Sequence, residues 1–323
     1  VYKRQASIVR RTAPSFERPS TDSTFPLAPG EFTVNLISRV LLLVAISAAA
    51  SPRTSIAQRA SFGEIQPLIE KAIDDGDLPG AVVCLADAKK IRYLNAFGDR
   101  QVEPHVIAMT TDTVFDLASI TKPVATATAI ALLAESGKIN LKAPVSTYLP
   151  EFTGHKKETI TVEQCLLHTS GLIPDNSLAD YKDGNEAIWQ RICDLKLRSD
   201  PGTKFSYSDV GFIVLGKLVH QISEKPLDQF VREQIYAPLG MNTTTFNPES
   251  DLRELAAPTE KQGDRWLRGE VHDPRASRMA GVAGHAGLFS TAQDLVTFAQ
   301  DLLAASNDHS AIMKMETYDR MTA

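Results

Sequence analysis

The reading turns on residues 116–137, "DLASITKPVATATAIALLAESG". From Ile120 onward the stretch is almost wholly apolar or small. That predicts a largely buried helix running to about Ser136, stopped by Gly137. Ser119 and Lys122 nevertheless stand at its start. Residues three apart share a helix face, so the hydroxyl and the amine can meet. Pro123 is tolerable there because a first-turn N–H has no intrahelical partner. A helix N-terminus also offers N–H groups and partial positive charge, which favour a developing oxyanion. A serine hydroxyl is a weak nucleophile until a base takes its proton. A suitably buried lysine can be that base. A Ser-x-x-Lys pattern alone is common, and a solvent-facing serine and lysine is the plain alternative.

A second stretch, "PGTKFSYSDVGF" at 201–212, adds weight. Its Pro-Gly turn precedes Tyr207, Ser208 and Asp209, and a new apolar helix follows. A loop tyrosine can approach a Ser-Lys pair. Its phenolate, favoured by a neighbouring ammonium, would accept a proton. The plain alternative is that Ser208 or Asp209 caps the helix and Tyr207 packs.

Outward from these stretches, residues 62–75 carry apolar side chains at helical spacing. "GAVVCLAD" and "KIRYLNAFG" predict two antiparallel strands joined at Asp87-Ala88-Lys89. "TVEQCLLHTSGL", "VGFIVLGKLVHQISEK", "LDQFVREQIYAPLG" and "STAQDLVTFAQDLLAA" predict further helices, the last capped by Ser290 or Thr291. No other strong strand is legible. The expected fold class is α+β, an antiparallel sheet flanked by helices plus an all-helical region.

Six ordered segments together resemble the serine β-lactamase and penicillin-binding protein superfamily, closest to its class C-like branch. They are "LPGAVVCLAD", "FDLASITKPVATATAIALLAESGKINLKAPVSTYLPEF", "LLHTSGL", "PGTKFSYSDVGFIVLG", "APLGMNTTTF" and "GVAGHAGLFSTAQDLVTFAQ". "GEVHDPRASRMAGVAGHAGLFS" further resembles penicillin-binding proteins and related hydrolases with a Val-His-Asp loop. The resemblance implies a β-lactamase/transpeptidase-like fold. It implies Ser119 as the acylated nucleophile, Lys122 as its base partner, and Tyr207 as an aid to proton transfer. Asp209 and His272 are the implied substrate-binding residues. The family's tyrosine motif usually ends in asparagine. Asp209 accepts hydrogen bonds but, ionised, donates none. This weakens a β-lactamase assignment more than a peptidase or esterase one. The expected substrates are D-Ala-D-Ala-type peptides of peptidoglycan, β-lactams or small esters, with no cofactor and no metal. A penicillin- or muropeptide-binding module without catalysis is the alternative.

The family's third element is Lys-[Ser/Thr]-Gly or His-x-Gly on a cleft strand. His285-Ala286-Gly287 has the letters but leads into the helix that precedes that strand, and is read as loop. The third element is therefore expected beyond Ala323, with the sheet incomplete in this chain. A zinc reading of His272, His285 and Asp273 matches no ligand spacing. His168 reads as structural.

The remaining sequence sets bounds. The chain has 323 residues, 43% of them hydrophobic, and a net charge of -5. No basic stripe is interleaved with aromatics, so nucleic acid is an unexpected partner. Three cysteines make no disulfide framework and read as buried thiols. "VYKRQ" resembles translated adapter sequence at a fragment edge, and residues 1–33 are expected to be disordered or spurious translation. Residues 34–57 have a secretory signal peptide's layout: Arg39, the apolar run 40–50, then small residues at Ser55 and Ala57. Cleavage after Ala57 would leave the hydrolase domain, 58–323, exported to the periplasm or beyond. The apolar run is short for a membrane span, and none is expected in the mature chain.

Overall fold

The computed structural model describes residues 62–322. The disorder and signal-peptide expectations for 1–57 lie outside those residues. A 3-10 turn at Phe62–Glu64 leads into α1 (Ile65–Asp74). Then β1 (Gly80–Ala86) and β2 (Ile91–Gln101) form an antiparallel hairpin, with Val83 opposite Asn95 and Gly80 opposite Gly98. Its turn is held by Asp87, whose carboxylate accepts from the N–H groups of Lys89 and Lys90. A third strand, β3 (Ile107–Ala108), pairs with the far end of β2.

A second small sheet is built from β4 (Phe115–Asp116), β5 (Thr245–Phe246) and β8 (Leu288–Ser290), with β8 in the middle. A separate hairpin joins β6 (Lys261–Gln262) to β7 (Arg265–Trp266). These short strands were not legible in the sequence. Two or three residues cannot show the alternation that marks a strand. Directly after His285-Ala286-Gly287, which was read as loop leading into a helix, comes the central strand of the second sheet, β8. It carries Leu288, Phe289 and Ser290 fully inside.

The helical region holds the larger core. α2 (Thr128–Glu135) continues the stretch that opened the sequence reading. α3 (Val162–Leu166) starts with a reciprocal cap between Thr161 and Gln164. α4 (Asn185–Cys193) follows, then α5 (Asp209–Ser223), capped by the Ser208 hydroxyl accepting from Gly211 N–H. Nine of the fifteen residues of α5 are buried, among them Val210, Ile213, Val214 and Leu218. A helix apolar all round belongs inside, and α5 lies against α2 and α3. It also touches α6 (Leu227–Val231), which passes through the turn Arg232–Tyr236 into α7 (Ala237–Leu239).

After α8 (Ser250–Leu255), α9 (Pro274–Arg278) is capped by Asp273, and α10 (Ala292–Ala305) by Thr291. α10 covers β1 and α1 covers β2. α11 (Met315–Thr322) rests on α2, with Glu135 accepting from Lys314 N–H and the Thr317 hydroxyl. Cys165 and Cys193 are buried free thiols, and burial pushes their ionisation up to about 12 and about 11. Cys84 is partly buried. Among the described residues no helix is long and apolar enough to cross a membrane.

Candidate active site

The serine lies in a strained approach to the helix. Asp116, at the end of β4, accepts from Ala118 N–H at 2.8 Å and from His272 N–H at 2.8 Å. Ala118 is thereby held at φ +46°, a conformation that costs a non-glycine residue energy and concentrates at functional sites. A 3-10 turn, Ala118–Ile120, presents Ser119 to solvent. The next turn, Lys122–Ala127, has π geometry. Pro123 sits at its start with no N–H to give, and the Thr128 hydroxyl bonds the Pro123 carbonyl at 2.8 Å. Such widened turns mark functional sites. Here the turn directs Lys122 and Thr126, four residues apart, toward one neighbour. The Thr126 hydroxyl donates to the Gly284 carbonyl at 2.7 Å, and Lys122 Nζ to the His285 carbonyl at 3.2 Å.

Lys122 is 3% exposed. Its Nζ donates to Ser119 Oγ at 3.0 Å. It also lies 2.6 Å from Asp209 Oδ1, an ion-pair contact without hydrogen-bond alignment. An ammonium has three N–H groups. Lys122 meets three acceptors: the serine hydroxyl, a backbone carbonyl and a carboxylate. A buried ammonium is costly when its N–H groups go unmet, and this set supplies a partner for each of them.

Tyr207 lies on the loop before α5, with its ring centroid 4.8 Å from Lys122 Nζ. Its ring is 4.4 Å from that of His168, which also packs on Phe205 and Phe212. His168 Nδ1 accepts from Ser208 N–H at 3.0 Å. Burial, then the Lys122 charge, hold His168 below the usual imidazole range. It is the neutral anchor of the tyrosine loop. The structure thus gathers Ser119, Lys122, Tyr207 and Asp209. The Tyr207 hydroxyl makes no hydrogen bond to Ser119 or Lys122, which meets the ring face instead.

His272 goes elsewhere. Its Nε2 lies 3.5 Å from Glu260, and it lines a cavity of about 250 Å³ with Arg265, Glu270 and Arg278. Only its backbone N–H, bonded to Asp116, reaches the serine's surroundings.

Asp273 and His285 were weighed in the sequence as metal ligands, and their contact with the site was not foreseen. His285 is 1% exposed, and its Nε2 lies 2.9 Å from Asp273 Oδ1. That oxygen also accepts from the N–H groups of Arg275 and Ala276. Burial raises the Asp273 carboxyl, but the His285 hydrogen bond and charge and the two backbone N–H groups outweigh it, bringing it to about 2. Single ligand atoms of Asp209, Asp273 and His285 lie within 4.8 Å of one another. The positive charge against Asp209 is already supplied by Lys122. The signal available in the sequence was the glycine density of residues 281–287.

Comparison with known proteins places these features. A family model described as Beta-lactamase matches residues 65–321. A Bacillus subtilis protein named N-acetylmuramyl-L-alanine amidase is 32% identical, over 84% of this chain and 71% of its own. A Salmonella agona protein provisionally named a D-alanyl-D-alanine carboxypeptidase is 33% identical, over 65% of this chain and 56% of its own. A solved class C β-lactamase superposes with a TM-score of 0.67 at 20% identity, over 81% of this chain and 68% of its own, and so shares the fold. With a family match spanning nearly all the described residues, and a serine and a buried lysine in contact at its centre, the chain belongs to the β-lactamase family, within the superfamily of serine β-lactamases and penicillin-binding proteins.

Proposed function

We propose that this chain is an exported acyl-transfer hydrolase, acting through an acyl-enzyme at Ser119. The supporting observation is the contact between the exposed Ser119 hydroxyl and the buried Lys122 ammonium at 3.0 Å, beside Tyr207. Ser119 Oγ attacks the substrate carbonyl carbon. Its proton passes through the Lys122–Tyr207 pair to the leaving amine or alkoxide as the scissile bond breaks. Water then releases the acyl group by the reverse proton path. In the resting arrangement Lys122 is a donor to Ser119, so the serine proton moves only as Lys122 or Tyr207 gives one up. Asp209 faces Lys122 as its counter-ion. It leaves the cleft an acceptor where an asparagine would offer a donor to a substrate carbonyl.

The substrate class is D-Ala-D-Ala-type peptide, β-lactam or small ester. The names of the Bacillus and Salmonella relatives favour cell-wall peptides. Export follows from the layout of residues 34–57. The test is covalent labelling of the protein by a fluorescent penicillin, with Ser119→Ala as control, alongside turnover of a D-Ala-D-Ala peptide, nitrocefin and p-nitrophenyl acetate. Labelling and turnover, both lost in the alanine variant, are expected. Label without turnover would favour the binding module, and no Ser119-dependent label would reject acylation.

A further inference from the structure

We propose that His285 is a positioning residue for Lys122: its imidazole, anchored on Asp273, fixes the His285 carbonyl that holds the Lys122 ammonium against Ser119. The inference rests on the function proposed for the Ser119–Lys122 pair. It concerns a residue whose side chain touches neither.

A lysine side chain has four flexible carbons, so its acceptors decide where the charge stands. Two of the three acceptors around Lys122 belong to side chains with helical or near-helical backbones, Ser119 and Asp209. The third is a backbone carbonyl in a segment rich in glycine. Gly281 and Gly287 flank it at φ +80° and +114°. Such backbone has wide freedom, and that freedom must be removed if the carbonyl is to hold its place.

Several contacts remove it. Thr126 and Lys122 bond consecutive carbonyls of Gly284 and His285, and the Thr121 hydroxyl accepts from Leu288 N–H at 3.1 Å. Gly284 is pressed on α5 so closely that a Cβ there would stand 1.9 Å from the Phe212 carbonyl oxygen. Between these points the His285 peptide is pinned from its side chain. A carboxylate only accepts, so Nε2 carries the proton toward Asp273. Asp273 is itself fixed as the cap of α9. The chain of contacts therefore runs from α9 through Asp273 and the imidazole to the carbonyl and the ammonium.

The other ring nitrogen shows that simple packing is not the reason for a histidine here. Nδ1 is buried with no hydrogen-bond partner among the described residues. An idle buried polar atom is unfavourable, and a leucine would fill the space without it. What leucine lacks is the Nε2 donor.

The experiment compares His285→Leu with His285→Gln in the full chain. Leucine removes the donor and keeps the bulk, and a glutamine amide reaches where Nε2 stands. Thermal melts establish that both variants fold. Two readouts follow. The first is the rate constant of Ser119 acylation by a fluorescent penicillin, separated from the binding constant. It is expected to fall ten- to a hundredfold in His285→Leu with little change in binding, and to recover most of the loss in His285→Gln. In a Lys122→Met background His285→Leu should have no further effect, since coupled residues are non-additive. The second readout needs no activity: acetylation of Lys122 by an N-hydroxysuccinimide ester, followed by peptide mass spectrometry. It should rise at least tenfold in His285→Leu and return toward wild type in His285→Gln.

Equal Lys122 reactivity in all three proteins overturns the proposal. So does an acylation rate unaltered in His285→Leu. A wild type that is never acylated at Ser119 defeats the functional reading instead, and the lysine-reactivity measurement then decides the positioning role by itself. If His285→Leu does not fold, Asp273→Ala, which removes the other half of the same contact, takes its place: a freed Lys122 supports the anchor, and wild-type reactivity rejects it.

Discussion

Lys122 and Asp209 form an ion pair with side-chain exposures of 4% and 19%. Removing one member of a buried pair is more damaging than replacing both, because a desolvated charge is left behind. Asp209→Ala leaves Lys122 with two neutral acceptors, and urea unfolding is expected to show a loss of about 2–3 kcal/mol. Asp209→Asn keeps the shape and should lose less. A loss under about 0.5 kcal/mol in the alanine variant would mean that solvent already screens the pair. Tyr207→Phe keeps the ring that faces the ammonium and removes only the hydroxyl. Turnover of p-nitrophenyl acetate should slow roughly a hundredfold, the scale of a positioned acid–base group. An unchanged rate would make Tyr207 a packing residue beneath Lys122.

Two short pieces of chain carry the site, and each has its own signature in stability. Asp273 caps α9 and bonds His285, which brings its carboxyl from 3.8 to about 2. A depressed carboxyl stabilises the fold above its unfolded value, near 3.8, and that contribution fades as pH falls through about 2. At about 1.4 kcal/mol per pH unit it is about 2 kcal/mol. Wild type should therefore exceed Asp273→Asn by about that amount at pH 6, the gap closing toward pH 2, as chemical denaturation across pH would show. A constant gap down to pH 2 would assign the effect to shape alone. The glycine segment before β8 has the opposite character, since its constraint is steric. Gly284→Ala would drive a methyl group into the Phe212 carbonyl. Backbone on both sides must then move. A loss of more than about 3 kcal/mol, or failure to fold, is expected by thermal melt. A stable Gly284→Ala would mean that the contact between β8's approach and α5 is loose.

For the whole molecule, the outcomes that matter are where the chain works and what it leaves open. We propose that residues 34–57 are removed on export. Terminal sequencing of the secreted protein should then find a start near Gln58, and a retained apolar run at 40–50 would count against cleavage. The buried thiols of Cys165 and Cys193 should resist iodoacetamide in the folded protein and react on unfolding, because burial disfavours their thiolates. The hairpin β1–β2 and the helices α1, α5 and α10 were legible because their signals are local. Apolar residues at spacings of two or three to four need no knowledge of the rest of the chain. The Ser119 and Lys122 spacing was legible for the same reason. β3 and the sheet β4-β8-β5 were not, being built from strands too short to show a period.

By itself the sequence determined the helix that opens at Ser119, the loop that carries Tyr207, a cap at Ser208 or Asp209 and the family to which they belong. Each depends on side chains a few residues apart, and the letters name those side chains. Tertiary structure decided the rest of the site. Asp116 pairs with Phe289, and Lys122 meets a carbonyl 163 residues away. That acceptor is a backbone oxygen, which every residue possesses, so no letter marks it. Its position exists only once β8 has entered between β4 and β5 and Gly284 has closed on α5. His272 and His285 show the same division. The sequence reading gave His272 to the substrate and His285 to a loop, but one turns to Glu260 and the other is buried against Asp273 with its own carbonyl on Lys122, because packing rather than residue type placed each imidazole.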